Sequence, residues 1–287
     1  MTMTHSGASR PAGQAPPSTG AIPVLLYHSV SDTPVGTFGP FTVSSAQLAS
    51  HLDLLLEQGY QPITVRRLLD GLASGQLPPR PVVLTFDDGF ADFAANAWPL
   101  LTDRGLAATL YVTAGDLGGR SEWLASSGVR LPMLTPREIA DLAADGCEIG
   151  AHSMTHPHLD CLPHAVAYEE IRTSKDVLEQ VLGQTVDTFA YPHGYHSRAT
   201  KELVIAAGYR SATAVRNALS HADDDRYAIA RVTVTSDFGT ADIARVVSGT
   251  GVRTAGPRES WQTSVWRQAR RLARPSGAGR PSGAGRR

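Results

Sequence analysis

The stretch PVVLTFDDGF, residues 81–90, runs from apolar and β-branched residues straight into two adjacent aspartates. The first part has the composition of a buried strand. Paired carboxylates repel each other and are uncommon inside strands, so Asp87 and Asp88 mark the point where the strand ends. Two adjacent negative charges at a strand end indicate that another group in the protein or a ligand offsets their repulsion.

Strand-like and helix-like segments alternate on both sides of this stretch, and glycine recurs where a helical segment gives way to a strand. Glycine at a helix C-cap adopts the left-handed conformation that other residues resist. The four junctions read EQGYQPIT, DRGLAATLYV, ADGCEIGAH and AAGYRSATAV. About seven strand–helix units over about 230 residues predict a parallel sheet covered by helices. A closed or nearly closed β/α barrel is favoured, with a doubly wound open sheet as the alternative.

Two helical segments carry further local signals. Ser44 and Gln47 have the spacing of a capping box at the start of the helical segment SSAQLASHLDLLLEQGY. Pro99 lies inside the helical segment FADFAANAWPLLTDRG and is expected to kink it.

Composition divides the chain into a central domain, residues 21–250, and two tails. Residues 1–20 are polar and rich in Pro, Gly and Ser, which predicts a disordered leader without the apolar core of a secretory signal. Residues 251–287 are basic, with nine arginines from Arg253 onward against one acidic residue, Glu259. We expect an amphipathic helix and a flexible, solvated tail there, and the alternative is weak contact with a membrane surface or a nucleotide-rich partner.

Charge and cysteine content narrow the class of protein. A formal net charge of −1 gives no reason to expect nucleic acid as a partner. Cys147 and Cys161 are the only cysteines, too few for a disulfide framework, and no CxxC zinc motif is present. The expected location is therefore the cytoplasm, with membrane association or export of a longer form as alternatives.

Three predicted strands end in clusters of polar residues: TFDDG at residues 85–89, HSMTH at 152–156 and FAYPHG at 189–194. In a β/α barrel the carboxyl ends of the strands meet on one face, where active sites form. The three clusters are therefore expected to lie together.

The first two clusters together indicate a metal site. His152 and His156 are four residues apart, so one helical turn or a tight loop would put both imidazoles on one side. With one carboxylate they form a set that leaves coordination positions open, and the second aspartate could act as a base. Taken alone, DDG is most often a turn, and two histidines at this spacing are often surface residues. Their joint occurrence at strand ends favours chemistry.

These motifs resemble those of the polysaccharide deacetylases, the NodB-homology or family 4 carbohydrate esterases. The likeness covers about residues 21–250, and TFDDG and HSMTH match the first two family motifs without departure. The resemblance implies a distorted (β/α)7 barrel and metal-dependent removal of N-acetyl groups from amino sugars, usually with zinc. It also implies Asp87 as general base and Asp88, His152 and His156 as metal ligands.

The third family motif, R-x-P-Y, is altered here to AYPH. Ala190 stands at the arginine position and His193 at the tyrosine position, where the family uses a backbone N–H to hold the oxyanion. The family arginine orients the catalytic aspartate. Arg231, in the predicted strand AIARVTV, is the candidate substitute.

The last family motif, a C-terminal Leu-x-His that supplies the general acid, is missing, since no histidine follows His221. One branch, which resembles the poly-β-1,6-N-acetylglucosamine deacetylases, instead carries a YH pair at the end of the first strand. The sequence PVLLYHSV supplies His28 at that place, and His28 is the predicted general acid.

The sequence therefore predicts a metal-dependent hydrolase that releases acetate from an N-acetylglucosamine-containing glycan or precursor sugar. Alternatives are a sugar-binding homologue with weak or no activity, and a deacetylase of O-acetyl esters or other amides. Trp123 and Tyr195 are expected near the same face. The histidines outside the motifs are interpreted as surface residues; among them are His51, His164, His196 and His221.

Overall fold

The computed structural model describes residues 20–255 together with Gln268. The predicted leader therefore lies outside the described residues, except for Gly20. The predicted C-terminal helix and tail lie outside them as well, apart from residues 251–255 and Gln268.

Within the described residues, short strands alternate with helices. The strands are β1 (Ala21–Ile22), β2 (Val24–Tyr27), β3 (Ser29–Val30), β4 (Thr42–Val43), β5 (Gln61–Ile63), β6 (Pro81–Phe86), β7 (Thr109–Val112), β8 (Glu148–Ala151), β9 (Thr188–Ala190), β10 (Ser211–Val215), β11 (Ser220–His221) and β12 (Ile229–Thr233). The α-helices are α1 (Ser45–Glu57), α2 (Val65–Ser74), α3 (Trp98–Thr102), α4 (Pro136–Ala144), α5 (His164–Leu182), α6 (Arg198–Ala206) and α7 (Thr240–Ser248). In this part of the chain, no helix combines the length and the apolar character that crossing a membrane requires.

Seven parallel strands close into a barrel in the order β2, β12, β10, β9, β8, β7 and β6. The ring closes because β6 pairs back to β2, with register from Val24 opposite Val83 to Tyr27 opposite Phe86. The predicted (β/α)7 barrel is confirmed, and the open sheet is wrong. An additional strand, β5, pairs with the first half of β6.

Strand alternation sorts the side chains of β6 between two environments. Leu84 and Phe86 belong to the large apolar cluster that also contains helix residues such as Leu48 of α1. Val83 belongs to a second buried cluster, and Thr85 contacts the buried Arg231. Because successive side chains point to opposite faces of a strand, Asp87 continues the inward-facing series of Val83 and Thr85 at the carboxyl end of the barrel.

The local signals in the sequence have mixed outcomes. All four junction glycines have positive φ, as predicted: Gly59 (73°), Gly105 (63°), Gly146 (98°) and Gly208 (83°). Ser44 caps α1 by accepting from the Gln47 N–H, but the Gln47 side chain donates to the carbonyls of Ser236 and Phe238, so the reciprocal half of the capping box is wrong. Pro99 lies in the first turn of α3, directly after a π-helical turn at Phe93–Ala97, where its missing N–H costs little.

Candidate active site

The predicted site residues lie at the carboxyl ends of barrel strands. Asp87 and Asp88 follow β6, His28 follows β2, His152 and His156 follow β8, His193 follows β9, and Arg231 lies within β12. The loops after β2, β6, β8 and β9 thus meet on one face of the barrel, with Arg231 below them.

Asp88, His152 and His156 form a buried triangle of potential metal ligands, with ligand atoms all within 4.8 Å of one another. Asp88 Oδ1 is 3.5 Å from His152 Nε2 and 3.4 Å from His156 Nε2. A tetrahedral Zn²⁺ with bonds of about 2.0–2.1 Å separates its ligand atoms by about 3.4 Å. The two distances therefore fit a single ion held by these side chains.

A tight loop, rather than a helical turn, brings the two histidines together. Ser153 and His156 have positive φ of 65° and 57°, and the Ser153 hydroxyl accepts from the His156 N–H at 3.1 Å. His152 Nδ1 donates to the Ala190 carbonyl at 2.9 Å. This bond fixes the tautomer that leaves Nε2 as a ligand atom, the usual arrangement for a metal-binding histidine.

The pKa shifts of the three triangle residues are those expected of a site that binds a cation. Burial and the neighbouring charge of Asp87 raise the pKa of Asp88 well above its usual range. Burial lowers the pKa of both His152 and His156, which keeps their imidazoles neutral at physiological pH. Neutral imidazoles are the form that binds metal, and a bound cation would offset the two adjacent carboxylates.

Arg231 and Asp87 form a bidentate ion pair inside the barrel. Arg231 Nη1 donates to Asp87 Oδ1 at 2.6 Å and Nη2 donates to Oδ2 at 2.7 Å. Arg231 is fully buried and Asp87 is 3% exposed. Burial alone would raise the pKa of Asp87, but the charge of Arg231 holds it below its usual value. Asp87 is therefore a carboxylate kept ionised next to the metal triangle.

The order of the strands explains how Arg231 comes to contact Asp87. Ala190 of β9 is opposite Thr213 of β10, and Val215 of β10 is opposite Arg231 of β12. The family motif has its arginine at position 190, on β9. Arg231 lies on β12, which is two strands away in the barrel, and its guanidinium contacts the same aspartate, Asp87. Thr85, the first residue of TFDDG, also accepts from Arg231 Nη1 at 3.3 Å. Motif spacing alone did not point to this contact.

His28 lies on the same face, on the strand next to Asp87. The Asp87 N–H donates to the Tyr27 carbonyl at 2.9 Å, and the His28 ring packs edge-on against Phe41 with a centroid distance of 5.3 Å. Burial lowers the pKa of His28 to about 4, although the charge of Asp87 opposes this shift. The His28 imidazole is therefore neutral at physiological pH, and the predicted general acid would first have to accept a proton. Among the described residues, His28 Nδ1 has no hydrogen-bond partner.

His193 sits in a sharp turn next to the histidine loop. Its φ is 59°, followed by Gly194 at 74°. A Cβ on Gly194 would come within 2.3 Å of the Val215 side chain, so only glycine allows the turn to pack against β10. The His193 ring stacks on His158 at 3.9 Å and meets His156 edge-on at 4.5 Å.

Aromatic side chains border the site. Trp123 stacks on the His156 ring at 5.1 Å, and Tyr195 lies 5.9 Å from His158, so both are near the predicted face. The interpretation of the outlying histidines as surface residues is wrong for His51 and His196, which are 0% and 7% exposed. His51 lies on the core-facing side of α1, where its ring nitrogens bond the Tyr27 hydroxyl and the Phe238 carbonyl.

A buried two-histidine, one-carboxylate triangle that could hold a metal ion lies beside an ionised aspartate at the carboxyl-end face of a parallel barrel. The family model for polysaccharide deacetylases matches residues 74–212. The chain therefore carries a polysaccharide deacetylase domain, as the motifs predicted. The matched residues include Asp87, Asp88, His152, His156 and His193, while His28 and Arg231 lie outside them.

Two curated relatives illustrate the likeness. The YxkH protein of Bacillus subtilis (strain 168), whose name places it among the polysaccharide deacetylases, is 26% identical over 214 residues, which cover 74% of this chain and 71% of that protein. The poly-beta-1,6-N-acetyl-D-glucosamine N-deacetylase of Staphylococcus aureus (strain MRSA252) is 21% identical over 206 residues, or 69% of each chain.

Solved structures share the barrel. The Streptococcus pyogenes deacetylase PplD aligns with a TM-score of 0.69 and 23% identity, covering 80% of this chain and 99% of that chain. IcaB from Ammonifex degensii aligns with a TM-score of 0.68 and 25% identity, covering 80% and 97%. The (β/α)7 fold is thus common to this chain and these deacetylases.

Proposed function

We propose that this protein is a metal-dependent N-deacetylase that releases acetate from a glycan containing N-acetylglucosamine. The observation that carries the proposal is the placement of an ionised, arginine-held Asp87 directly beside the Asp88–His152–His156 triangle. Binding a sugar requires neither an ionised base nor a metal triangle, whereas hydrolysis of an amide uses both.

Zn²⁺ is the proposed metal because two neutral imidazoles and one carboxylate are a common zinc ligand set. When bound, the ion would polarise the acetamide carbonyl and lower the pKa of the attacking water. Asp88, His152 and His156 would hold it, leaving both oxygens of Asp87 to Arg231 and to the water.

In the proposed reaction, Asp87 takes a proton from the attacking water while a new C–O bond forms at the acetamide carbon. Arg231 keeps Asp87 ionised and in place until that step. The backbone N–H of His193 is the proposed oxyanion donor, by resemblance to the family motif. The C–N bond then breaks, and the amine needs one proton to leave.

His28 is the proposed donor of that proton. Since its pKa is about 4, it would have to receive the proton during turnover rather than hold it beforehand. The proton taken up by Asp87 is the available source, and His28 follows the strand next to Asp87. Asp87 and His28 would thus act in sequence, with no net proton gained or lost by the protein.

The substrate class rests on two supports. One relative is named as a deacetylase of poly-β-1,6-N-acetylglucosamine. In addition, an open groove of about 750 Å³ is lined by Phe41, which contacts His28, and by Asn217, Thr233, Phe238 and Arg253. Aromatic faces and polar donors of this kind suit sugar rings and hydroxyls. We therefore propose an oligomeric or polymeric substrate that extends from the metal triangle across His28.

The decisive experiment measures acetate released from N-acetylglucosamine oligomers and from acetylxylan, with Zn²⁺ and after chelation. Release from the oligomers that is lost on chelation and recovered with Zn²⁺ supports the proposal. Release from acetylxylan alone would favour the ester hydrolase. No release from either substrate under metal-replete conditions would favour the sugar-binding homologue, with an Asp87→Asn variant as the background control.

A further inference from the structure

Tyr111 of β7 supports the buried guanidinium that orients Asp87. The Cζ atom of Arg231 lies over the Tyr111 ring, 5.4 Å from its centroid. Both side chains are fully buried. A cation over an aromatic face is attracted by the ring, and the attraction is stronger where water is excluded.

Gly150 of β8 makes room for this ring. The two residues are directly opposite in the β7–β8 register. A Cβ at Gly150 would lie 2.5 Å from two carbons of the Tyr111 ring, a distance that real side chains do not tolerate. The glycine in the strand interior therefore has a specific consequence, which is to let the tyrosine lie flat across the neighbouring strand.

Ala190 completes the arrangement. It belongs to the same buried cluster as Tyr111, and it stands where the family motif has arginine. A longer side chain at position 190 would need the space inside the barrel that Tyr111 fills, because protein interiors are close-packed. The small side chains at positions 150 and 190 thus leave room for the Tyr111 ring, and the ring in turn contacts Arg231.

We infer that Tyr111 is a positioning residue for the deacetylation reaction: its ring fixes the guanidinium of Arg231, which in turn fixes the carboxylate of Asp87. The Arg231 side chain also donates to the Thr85 hydroxyl and the Ala214 carbonyl, at 3.3 and 3.4 Å. Both are long and lie along the guanidinium edge, whereas the ring restrains its face. The catalytic part of this inference rests on the proposed function, and the packing part does not.

The test compares Tyr111→Leu, Tyr111→Phe and the wild type. Tyr111→Leu removes the ring, and we expect kcat on N-acetylglucosamine oligomers to fall about 10- to 100-fold, with KM changed less than about twofold, because a small misplacement of a catalytic group is costly. Tyr111→Phe keeps the ring and should stay within about twofold of wild type. Zn²⁺ stoichiometry, measured by metal analysis, should stay unchanged in both variants.

A matched control separates positioning from general packing. Tyr209 is also buried, at 2% exposure, but it packs against Phe189 and α5 away from Arg231. Tyr209→Leu should lower Tm without lowering kcat of the folded protein. Equal loss of kcat in Tyr111→Leu and Tyr209→Leu would overturn the inference, as would wild-type kcat in Tyr111→Leu.

A double-mutant cycle tests the contact itself, independently of activity. Tyr111→Leu should lower Tm less in an Arg231→Gln background than in the wild type, since contacting residues are not additive and the neutral glutamine removes the cation from the ring. Additive shifts would overturn the inference. If wild-type protein releases no acetate, the proposed function fails, while this cycle still decides whether Tyr111 holds Arg231.

Discussion

Both terminal nitrogens of Arg231 donate to the two carboxylate oxygens of Asp87, at 2.6 and 2.7 Å, although the residues are 144 positions apart in the chain. This fork leaves the carboxylate little freedom to rotate and favours its charged form. The pair makes Asp87 chemically different from Asp88, its immediate neighbour.

Arg231→Lys should lower kcat about 10- to 100-fold, because a lysine ammonium cannot make the planar two-point contact. Acetate release at saturating substrate measures the effect. Arg198→Lys is the matched control, since Arg198 is exposed on α6 and forms an ion pair with Glu202 of the same helix. Arg231→Lys with wild-type kcat would remove Arg231 from the mechanism.

Asp88→Asn and Asp87→Asn should differ in their effect on metal binding, although both should lower turnover. Asp88→Asn replaces a proposed ligand with a neutral group and should weaken Zn²⁺ binding about 10-fold or more. Asp87→Asn removes the proposed base and should abolish turnover while Zn²⁺ is retained. Isothermal titration with Zn²⁺ and acetate release together decide the assignment, and a reversed pattern would exchange the two roles.

His28→Ala should retain Zn²⁺ and lose about 100-fold or more in kcat, because the leaving amine then has no nearby proton donor. A substrate with a better leaving group, such as an acetyl ester, should be less affected, since an alcohol leaves with less need for protonation. Equal losses on amide and ester would show that His28 acts in some other way, for example in binding.

Arg253→Gln tests the groove that includes Phe41. Arg253 lines the groove and donates to the Arg216 carbonyl. The variant should raise KM for long N-acetylglucosamine oligomers about 3- to 10-fold, because it removes one charge-assisted hydrogen bond to the substrate. KM for the shortest active oligomer should not change. An equal effect at every length would argue against a substrate that crosses His28 into this groove.

His196 predicts a pH dependence of stability that is separate from catalysis. Burial lowers its pKa to about 4, whereas an unfolded histidine titrates near about 6.5. Between these values the unfolded chain binds the proton and the folded one does not, so stability is full above about pH 6.5 and is lost as pH falls toward about 4. The loss amounts to about 2–3 kcal/mol for this group.

The measurement compares the free energy of unfolding of wild type and His196→Asn from pH 7 to pH 4. The difference between the two proteins should shrink as pH falls, because only the wild type loses the histidine contribution. Comparing the two proteins also cancels Asp92, whose pKa is raised to about 6 by burial and whose effect on stability has the opposite sign. A constant difference would contradict the prediction.

Much of the site could be predicted from short stretches of sequence. Asp87 and Asp88 follow an apolar strand, and His152 and His156 are four apart after another, so their association follows from strand direction alone. The junction glycines likewise act within a single turn, which is why all four have the predicted left-handed conformation. Local patterns identify such features because the interacting groups are close in the chain.

Other features depend on which strands become neighbours. The sequence offered Arg231 only as a candidate, and it gave no signal for Tyr111 or for the space at Gly150. It predicted His51 and His196 at the surface, although the spacing of His51 from Leu48 and Leu55 puts it on the apolar face of α1. His51 is buried where α1 packs on Tyr27 of the barrel, and His196 lies in the loop before α6, where its ring packs edge-on against Tyr191.

The amino-acid sequence by itself therefore determined the strand–helix order, the proposed metal ligands and the class of domain, because each depends on a short pattern of neighbouring residues. The tertiary structure alone decided that the barrel closes through β2 and β6, and that the guanidinium inside it comes from β12. The physical reason is that backbone pairing between distant strands sets which side chains share the closed interior. Within that interior, the volumes of Gly150, Ala190 and Tyr111 determine where Arg231 can lie and hence how Asp87 is held.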